Sequence, residues 1–348
     1  MKADITMLGG SGTGKTCYMY AMANLMSRPQ NGFTFIPVEH RVGLKLKSGG
    51  RSMQHIVENG KIVKRGCWPA GTDESSSYKF YFKYCTKLLA NFTWFDYRGG
   101  LLTSLEDEQE QDSLFEVINN SSCLIVCIAA EKLQGLLNDD GESIEELAMY
   151  AEMLERYSAE KGTTVPVVFA ILKADKLKPG EFTDGIKRLK SDIFAQFFTR
   201  DGGWFLMFVG VSLGEFENRF EIDPQTHRSI VLGEFNVVNV HLPVFFAIRC
   251  GLIDQLKQAD AERESLSSRE YDNRRALERE RQRSGWDVFW NGSNEDDLVD
   301  TLSSIGEDLG LVREEINKLK ERLNWIDKEL LGGGDDVVQI YFNGRRAE

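Results

Sequence analysis

Gly9-Gly10-Ser11-Gly12-Thr13-Gly14-Lys15-Thr16 is the stretch on which the fold turns. It satisfies Gly-x-x-x-x-Gly-Lys-Ser/Thr, and its surroundings decide between a phosphate-cradling loop and a chance glycine turn. Ala3 to Leu8, just before it, is a short apolar run of strand character, and from about Gly14 to Ser27 the residues read as a helix that Pro29 ends. Strand, loop and helix are the context that the chemistry needs. Glycines let backbone N–H groups point inward around phosphates, and the helix adds the positive end of its dipole. Gly9, Gly12, Thr13 and Gly14 form that cradle, Lys15 is expected to reach the β- and γ-phosphates, and the Thr16 hydroxyl to bind Mg²⁺. Cys17 follows directly, a small helix residue counted with the nucleotide contacts.

Outward from the loop, Gln30 to Ser77 is irregular, rich in glycine and lysine, and reads as a long connection holding at most a small hairpin. Tyr78 to Tyr84 and Leu88 to Phe95 read as a strand hairpin, and an acidic helix is expected near Leu105 to Asn119. Strands at Cys123 to Ala130, Val165 to Leu172 and Trp204 to Val211 then alternate with helices around Ile144 to Lys161 and Gly185 to Arg200. That alternation predicts an α/β fold, a mainly parallel sheet with helices on both faces. A loop at Phe216 to Gly233 precedes a helix that starts after His241 and runs to about Arg283. The predicted organisation is a nucleotide-binding domain over 1–258 with an insertion near 30–77, a helical arm over 259–331, and a tail over 332–348.

The arm carries the clearest periodicity in the chain. Leu298, Leu302, Ile305, Leu309, Val312, Ile316, Leu319, Leu323, Ile326 and Leu330 are spaced alternately by four and three, a coiled-coil seam. Gly285 to Ser293 could turn the chain back so that the seam pairs within the chain; a homodimer is the competing arrangement. The preceding helix carries arginines interleaved with acids from Arg269 to Arg283, which reads as a solvated surface more than a nucleic-acid contact. The tail segment Val337 to Phe342 has strand character and needs a sheet edge.

Asp96 ends an apolar strand in Asp96-Tyr97-Arg98-Gly99, an arrangement that sets a carboxylate beside Mg²⁺ and the Gly99 amide against the γ-phosphate. Thr72, in the long connection, is the candidate for the second hydroxyl ligand, so the expected metal ligands are Thr16, Thr72 and Asp96. In Lys173-Ala174-Asp175 the carboxylate suits the N1 and N2 donors of guanine, a pair that adenine lacks. The stem of Lys173 can lie over the base, and the backbone at Ser212-Leu213 can donate to the guanine carbonyl.

In order and spacing these motifs resemble the translation-factor-related class of P-loop GTPases, which includes Ras-like proteins, over about residues 3 to 258. Trp68-Pro69-Ala70-Gly71-Thr72 and the apolar residues after His241 look more like the bacterial double-GTPase-like branch, associated with antiviral and conflict systems. The resemblance implies a molecular switch that binds GTP and GDP with Mg²⁺, with Lys15, Thr72, Asp96 and Gly99 serving hydrolysis and protein partners engaged through the arm. Two departures qualify it. Leu172 stands where Asn or Thr usually braces the base site, and Gly100 where Ras-like enzymes carry the glutamine that orients water. Hydrolysis is therefore expected to be slow unless a partner, a dimer or an arginine such as Arg65 or Arg98 supplies a group. An ATP-using enzyme on the same loop and a nucleotide-bound scaffold are the alternatives.

Composition fits a cytoplasmic protein. The net charge of −12 disfavours a nucleic-acid platform, and six cysteines without a Cys-x-x-Cys pair, beside four histidines, disfavour structural zinc. No apolar run is long enough to span a bilayer, and Asp4 breaks the N-terminal apolar stretch that a signal peptide requires.

Overall fold

A computed structural model describes residues 2–59, 61–64, 66–69, 75–96, 108–161, 165–200, 202–214, 220–222, 229–231, 235–283, 294–331 and 337–346. At its centre lies β1 (Lys2–Leu8), parallel to β6 (Lys87–Asp96) on one side and to β7 (Cys123–Ala129) on the other. β8 (Val165–Leu172) and β9 (Trp204–Gly214) continue the parallel ladder beyond β7. These strands are buried on both faces, which is why β7 reads Cys-Leu-Ile-Val-Cys-Ile-Ala with every residue inside.

Both margins are antiparallel, so the sheet is parallel in its core and mixed overall, where the sequence suggested mainly parallel. β5 (Ser76–Tyr84) pairs with β6, and β2 (Phe33–Pro37) pairs with β5. On the far side β13 (Val338–Phe342) pairs with β9 and with the two-residue β14 (Arg345–Arg346), while β12 (Phe235–Val238) joins the end of β9. Antiparallel strands can leave one face wet, and β5 alternates accordingly: Tyr78, Phe80 and Phe82 point inward, Lys79 and Tyr81 outward. β3 (Ile56–Glu58) and β4 (Lys61–Lys64) form a separate hairpin, as do β10 (Phe220–Ile222) and β11 (Ser229–Val231). The first is the small hairpin expected in the long connection; the second falls where only a loop was expected.

The helices in order are α1 (Lys15–Leu25), α2 (His40–Ser52), α3 (Glu108–Asn120), α4 (Ala130–Leu137), α5 (Gly141–Lys161), α6 (Glu181–Arg188), α7 (Leu242–Arg281) and α8 (Glu295–Leu331). β2 and α2 lie inside the stretch read as irregular. α2 carries Gly43, Gly49 and Gly50 among basic residues, which masks its helical pattern, and Gly49 and Gly50 lie against Tyr20 and Asn24 of α1. The single helix expected from Gly185 to Arg200 is instead broken. α6 passes into one π-turn at Leu189–Ile193 and a 3₁₀ turn at Ala195–Phe198. The changes of pitch let Leu189, Phe194 and Phe197 all bury, at spacings of five and three that a uniform α-helix would spread around its circumference.

The outer edge of β2 is closed on its donor side. The Phe33 N–H bonds Gln30 O at 2.8 Å, the Phe35 N–H bonds Met26 O at 3.0 Å, and Pro37 has no N–H. Inside, Phe33, Phe35, Phe80, Phe82 and Phe92 form an aromatic cluster that also takes in Phe245 of α7.

The chain divides into two compact units, residues 1–251 with 328–348, and Leu252–Asp327. In the second, Leu252, Ala259 and Leu266 of α7 and Ile305, Leu309, Val312, Ile316, Leu319 and Ile326 of α8 are buried within a single copy of the chain. Between the end of α7 and the start of α8, Arg281 Nε lies 2.7 Å from Glu295 Oε1 and the Asn294 N–H donates to Glu280 Oε1 at 3.3 Å. No helix among the described residues is long and apolar enough to cross a membrane.

Candidate functional site

The glycine loop leaves the central strand β1 and enters α1 at the carboxyl end of the parallel ladder, where open α/β sheets place their ligands. A Cβ at Gly9 would lie 2.6 Å from the Cys127 carbonyl oxygen of β7, so only glycine lets the loop leave the sheet this closely. Gly14, in the left-handed region at φ 99°, caps α1. Lys15 is 7% exposed, and its Nζ donates to Gly9 O at 2.6 Å and Gly10 O at 3.0 Å. The Thr13 hydroxyl also donates to Gly10 O. Burial lowers the pKa of Lys15, opposed by Cys127, Asp96 and Glu146. The ammonium is thus held inside the loop by its own carbonyls.

Asp96 closes β6 opposite Met7 of β1, two residues before Gly9. It is 1% exposed, and Oδ1 is buried without a hydrogen-bond partner among the described residues. Burial pushes its carboxyl up to about 6, against the pull of Lys15 and Lys45. A buried carboxylate with a spare oxygen fits a divalent cation. No group of three His, Cys, Asp or Glu side chains among the described residues could hold one alone. A cation here would draw its other ligands from hydroxyl, water and phosphate oxygens, the set that Mg²⁺ favours. Thr16, half-buried in the first turn of α1, follows Lys15 directly and offers such a hydroxyl.

Asp96 has a measurable consequence in the nucleotide-free protein. Its folded pKa of about 6 exceeds the ordinary 3.8, so the stability it contributes is complete below about pH 4 and is lost as pH rises through 6. At pH 7.5 the ionised carboxylate costs roughly 3 kcal/mol. Asp96→Asn is expected to recover most of that at pH 7.5 and little at pH 4, as read by urea denaturation at the two pH values.

The residues that the sequence suggests for a base lie at the ends of β8 and β9, with Leu172 level with Val211. Lys173 is left-handed at φ 60°, and a 3₁₀ turn at Ala174–Lys176 presents Asp175, half-buried. Leu172 Cδ1 reaches within 3.9 Å of the Cβ position at Gly14, which brings the start of this turn against the glycine loop. Lys173 also lies in electrostatic range of Cys17, whose thiol burial pushes up to about 12, leaving it neutral. Lys173 Nζ is 3.3 Å and Lys176 Nζ 2.5 Å from Glu131 Oε1 on α4. Ser212 and Leu213 belong to β9 itself, which runs to Gly214, and Val238 of β12 stands opposite Ser212. The expected loop donor is therefore a strand residue with a ladder neighbour.

Gly9, Gly12, Thr13, Gly14, Lys15, Thr16, Cys17, Asp96, Lys173 and Asp175 thus gather at one end of the sheet. Thr72 and Gly99 lie outside the described residues, as do Arg65, Arg98 and Gly100. Three neighbours escaped the sequence reading. Lys45 of α2 sits with its Nζ 5.8 Å from the Tyr78 ring centroid. Glu146 and Tyr150 of α5 touch the glycine loop, and their i,i+4 spacing shows only that they share a helix face.

No known family model matches the chain, and no curated protein matches it at a significant level. Solved structures that overlap it include the signal recognition particle receptor SRb-GTP/SRX complex from Chaetomium thermophilum, with 13% identity and a TM-score of 0.35, covering 60% of this chain and 90% of that one. The conserved domain of the dynein light intermediate chain gives 9% identity and a TM-score of 0.27, covering 72% of this chain and 90% of that one. A protein from Thermus thermophilus gives 12% identity and a TM-score of 0.28 over 55% of this chain, which spans only 22% of that protein's length. None of these overlaps is close enough to argue from, and the functional reading stands on the geometry.

Proposed function

We propose that the chain is a P-loop, Mg²⁺-dependent guanine-nucleotide switch whose hydrolysis of GTP is slow without a partner. The observation that carries this is the pairing of Lys15, held inside the Gly9–Thr16 loop, with Asp96, buried beside it with one unpartnered oxygen. Backbone N–H groups of the loop and the start of α1 bind phosphate, and the Lys15 ammonium exchanges carbonyl oxygens for phosphate oxygens. Thr16, Asp96 and Thr72 of the long connection are the residues that would hold Mg²⁺. When bound, the ion would supply positive charge that offsets the charge of the phosphates. Gly99 would follow the γ-phosphate, so its loss frees the segment after Asp96. Gly100 offers no side chain to orient water. The helical arm is the element suited to carry the nucleotide state to protein partners.

Guanine choice rests on Asp175 with Lys173, and Ser212 and Leu213 adjoin them. Wild type is expected to bind GTP and GDP in preference to ATP, and Asp175→Asn to lose about 10- to 100-fold in guanine affinity, the worth of one or two charge-assisted hydrogen bonds, without losing ATP affinity. Calorimetric titration of the three nucleotides against both proteins checks this; a wild type that prefers ATP excludes the guanine reading. A nucleotide-bound scaffold is the second reading, favoured by β12 lying alongside Ser212. It predicts tight binding with no turnover under any condition.

A further inference from the structure

We infer that Glu146 on α5 sets the preference between a nucleoside triphosphate and a diphosphate at the glycine loop, with Lys132 of α4 as the counter-ion that tunes it. This rests on the nucleotide reading above and deepens it. The Gly10 N–H donates to the Tyr150 hydroxyl at 2.8 Å, and that hydroxyl donates to Glu146 Oε1 at 3.1 Å. Tyr150 is 2% exposed, and burial raises the pKa of its phenol, which stays protonated and can be the donor. A Cβ at Gly10 would lie 2.6 Å from Glu146 Oε1, so the carboxylate rests directly on the loop backbone. Glu146 is also among the groups whose field acts on Lys15. A fixed negative charge therefore adjoins the ammonium that phosphate must engage.

Its other oxygen is compensated only in part. Glu146 Oε2 lies 3.1 Å from Lys132 Nζ, which is also 2.7 Å from Glu142 Oε1. One cation thus serves two carboxylates. Glu142 is 84% exposed, whereas Lys132 and Glu146 are 24% and 21% exposed, so the chain leads from the surface to the loop. Repulsion from Glu146 grows with the number of phosphates, and it penalises a triphosphate more than a diphosphate. Anything that draws Lys132 toward Glu142 deepens the penalty.

A purely mechanical role, α5 strapping the loop in place, makes a different forecast. Glutamine at 146 keeps the acceptor for Tyr150 and removes only the charge. Glu146→Gln is expected to raise the GTP-to-GDP affinity ratio about fivefold at low ionic strength, and less at 0.5 M salt. Lys132→Met is expected to lower the ratio by about threefold through the same field. Tyr150→Phe, which removes the strap and no charge, should weaken both nucleotides alike.

The experiment is a competition titration of fluorescently labelled GTP and GDP on the full chain with Mg²⁺, at low and high salt, with circular dichroism to confirm folding. Opposite shifts of the ratio in Glu146→Gln and Lys132→Met support the inference. An unchanged ratio in both, with guanine nucleotide still bound, overturns it and leaves the nucleotide reading intact. Absence of guanine binding by wild type overturns the reading beneath it.

Discussion

Lys15→Met is expected to abolish guanine-nucleotide binding, a loss of at least about a hundredfold, while leaving the nucleotide-free protein folded. Lys15 is 7% exposed, and its ammonium donates to both the Gly9 and Gly10 carbonyls. Two charge-assisted bonds to phosphate in such a place are worth roughly 3 to 6 kcal/mol, and a hundredfold corresponds to about 2.7. Methionine has nearly the same length and removes a charge whose burial is itself unfavourable. It also takes the donor from the Gly9 carbonyl, while the Gly10 carbonyl keeps the Thr13 hydroxyl, so the effects on the free protein oppose each other and its stability should change by no more than about 1 to 2 kcal/mol. Isothermal titration and a thermal melt separate the two quantities. Near-wild-type binding by the variant would remove the phosphate loop from the mechanism.

The second large effect is structural. Phe82 is fully buried, its ring 5.4 Å from Phe33, 5.0 Å from Phe35 and 5.2 Å from Phe245. It joins β5 to β2 and to the first turn of α7. Phe82→Ala should cost about 3 to 5 kcal/mol, a large share of the roughly 5 to 15 kcal/mol that holds an ordinary domain. Denaturant titration should show a lower midpoint. A cost under about 1 kcal/mol would mean that the aromatic cluster collapses around the gap without loss.

The parts of the fold legible in the sequence were those where burial and period agree. β7 and β8 are continuous apolar runs, and β1 is pinned by the glycine loop that follows it. α2 was hidden because its glycines serve packing on α1 and dilute the helical signal. α7 hid a second seam. Leu252, Leu256, Ala259, Arg263, Leu266, Glu270, Asn273, Leu277 and Glu280, spaced by four and three, are all buried or half-buried. Arg263, Glu270 and Glu280 can cover apolar surface with their aliphatic stems, so alternating charge was read as a solvated helix. At the site, Lys15 and Asp96 announce themselves by motif and strand position. Glu146, Tyr150 and Lys45 do not, because a helix face carries no record of what it meets until the sheet sets the partners side by side.

The pairing of β13 with β9 joins Val338 to Val209 and Phe342 to Phe205, across the whole of the inserted Leu252–Asp327 unit. During translation β9 emerges long before its edge partner exists. At ordinary elongation rates the interval is on the order of ten seconds, ample for most local folding events. Through that interval the edge that carries Phe205 and Met207 has no β13 to cover it. The nascent chain is then most open to chaperones and to wrong strand pairing. Rapid closure of the helical hairpin shortens the effective loop that β13 must span, so the arm doubles as a folding aid for the sheet from which it departs.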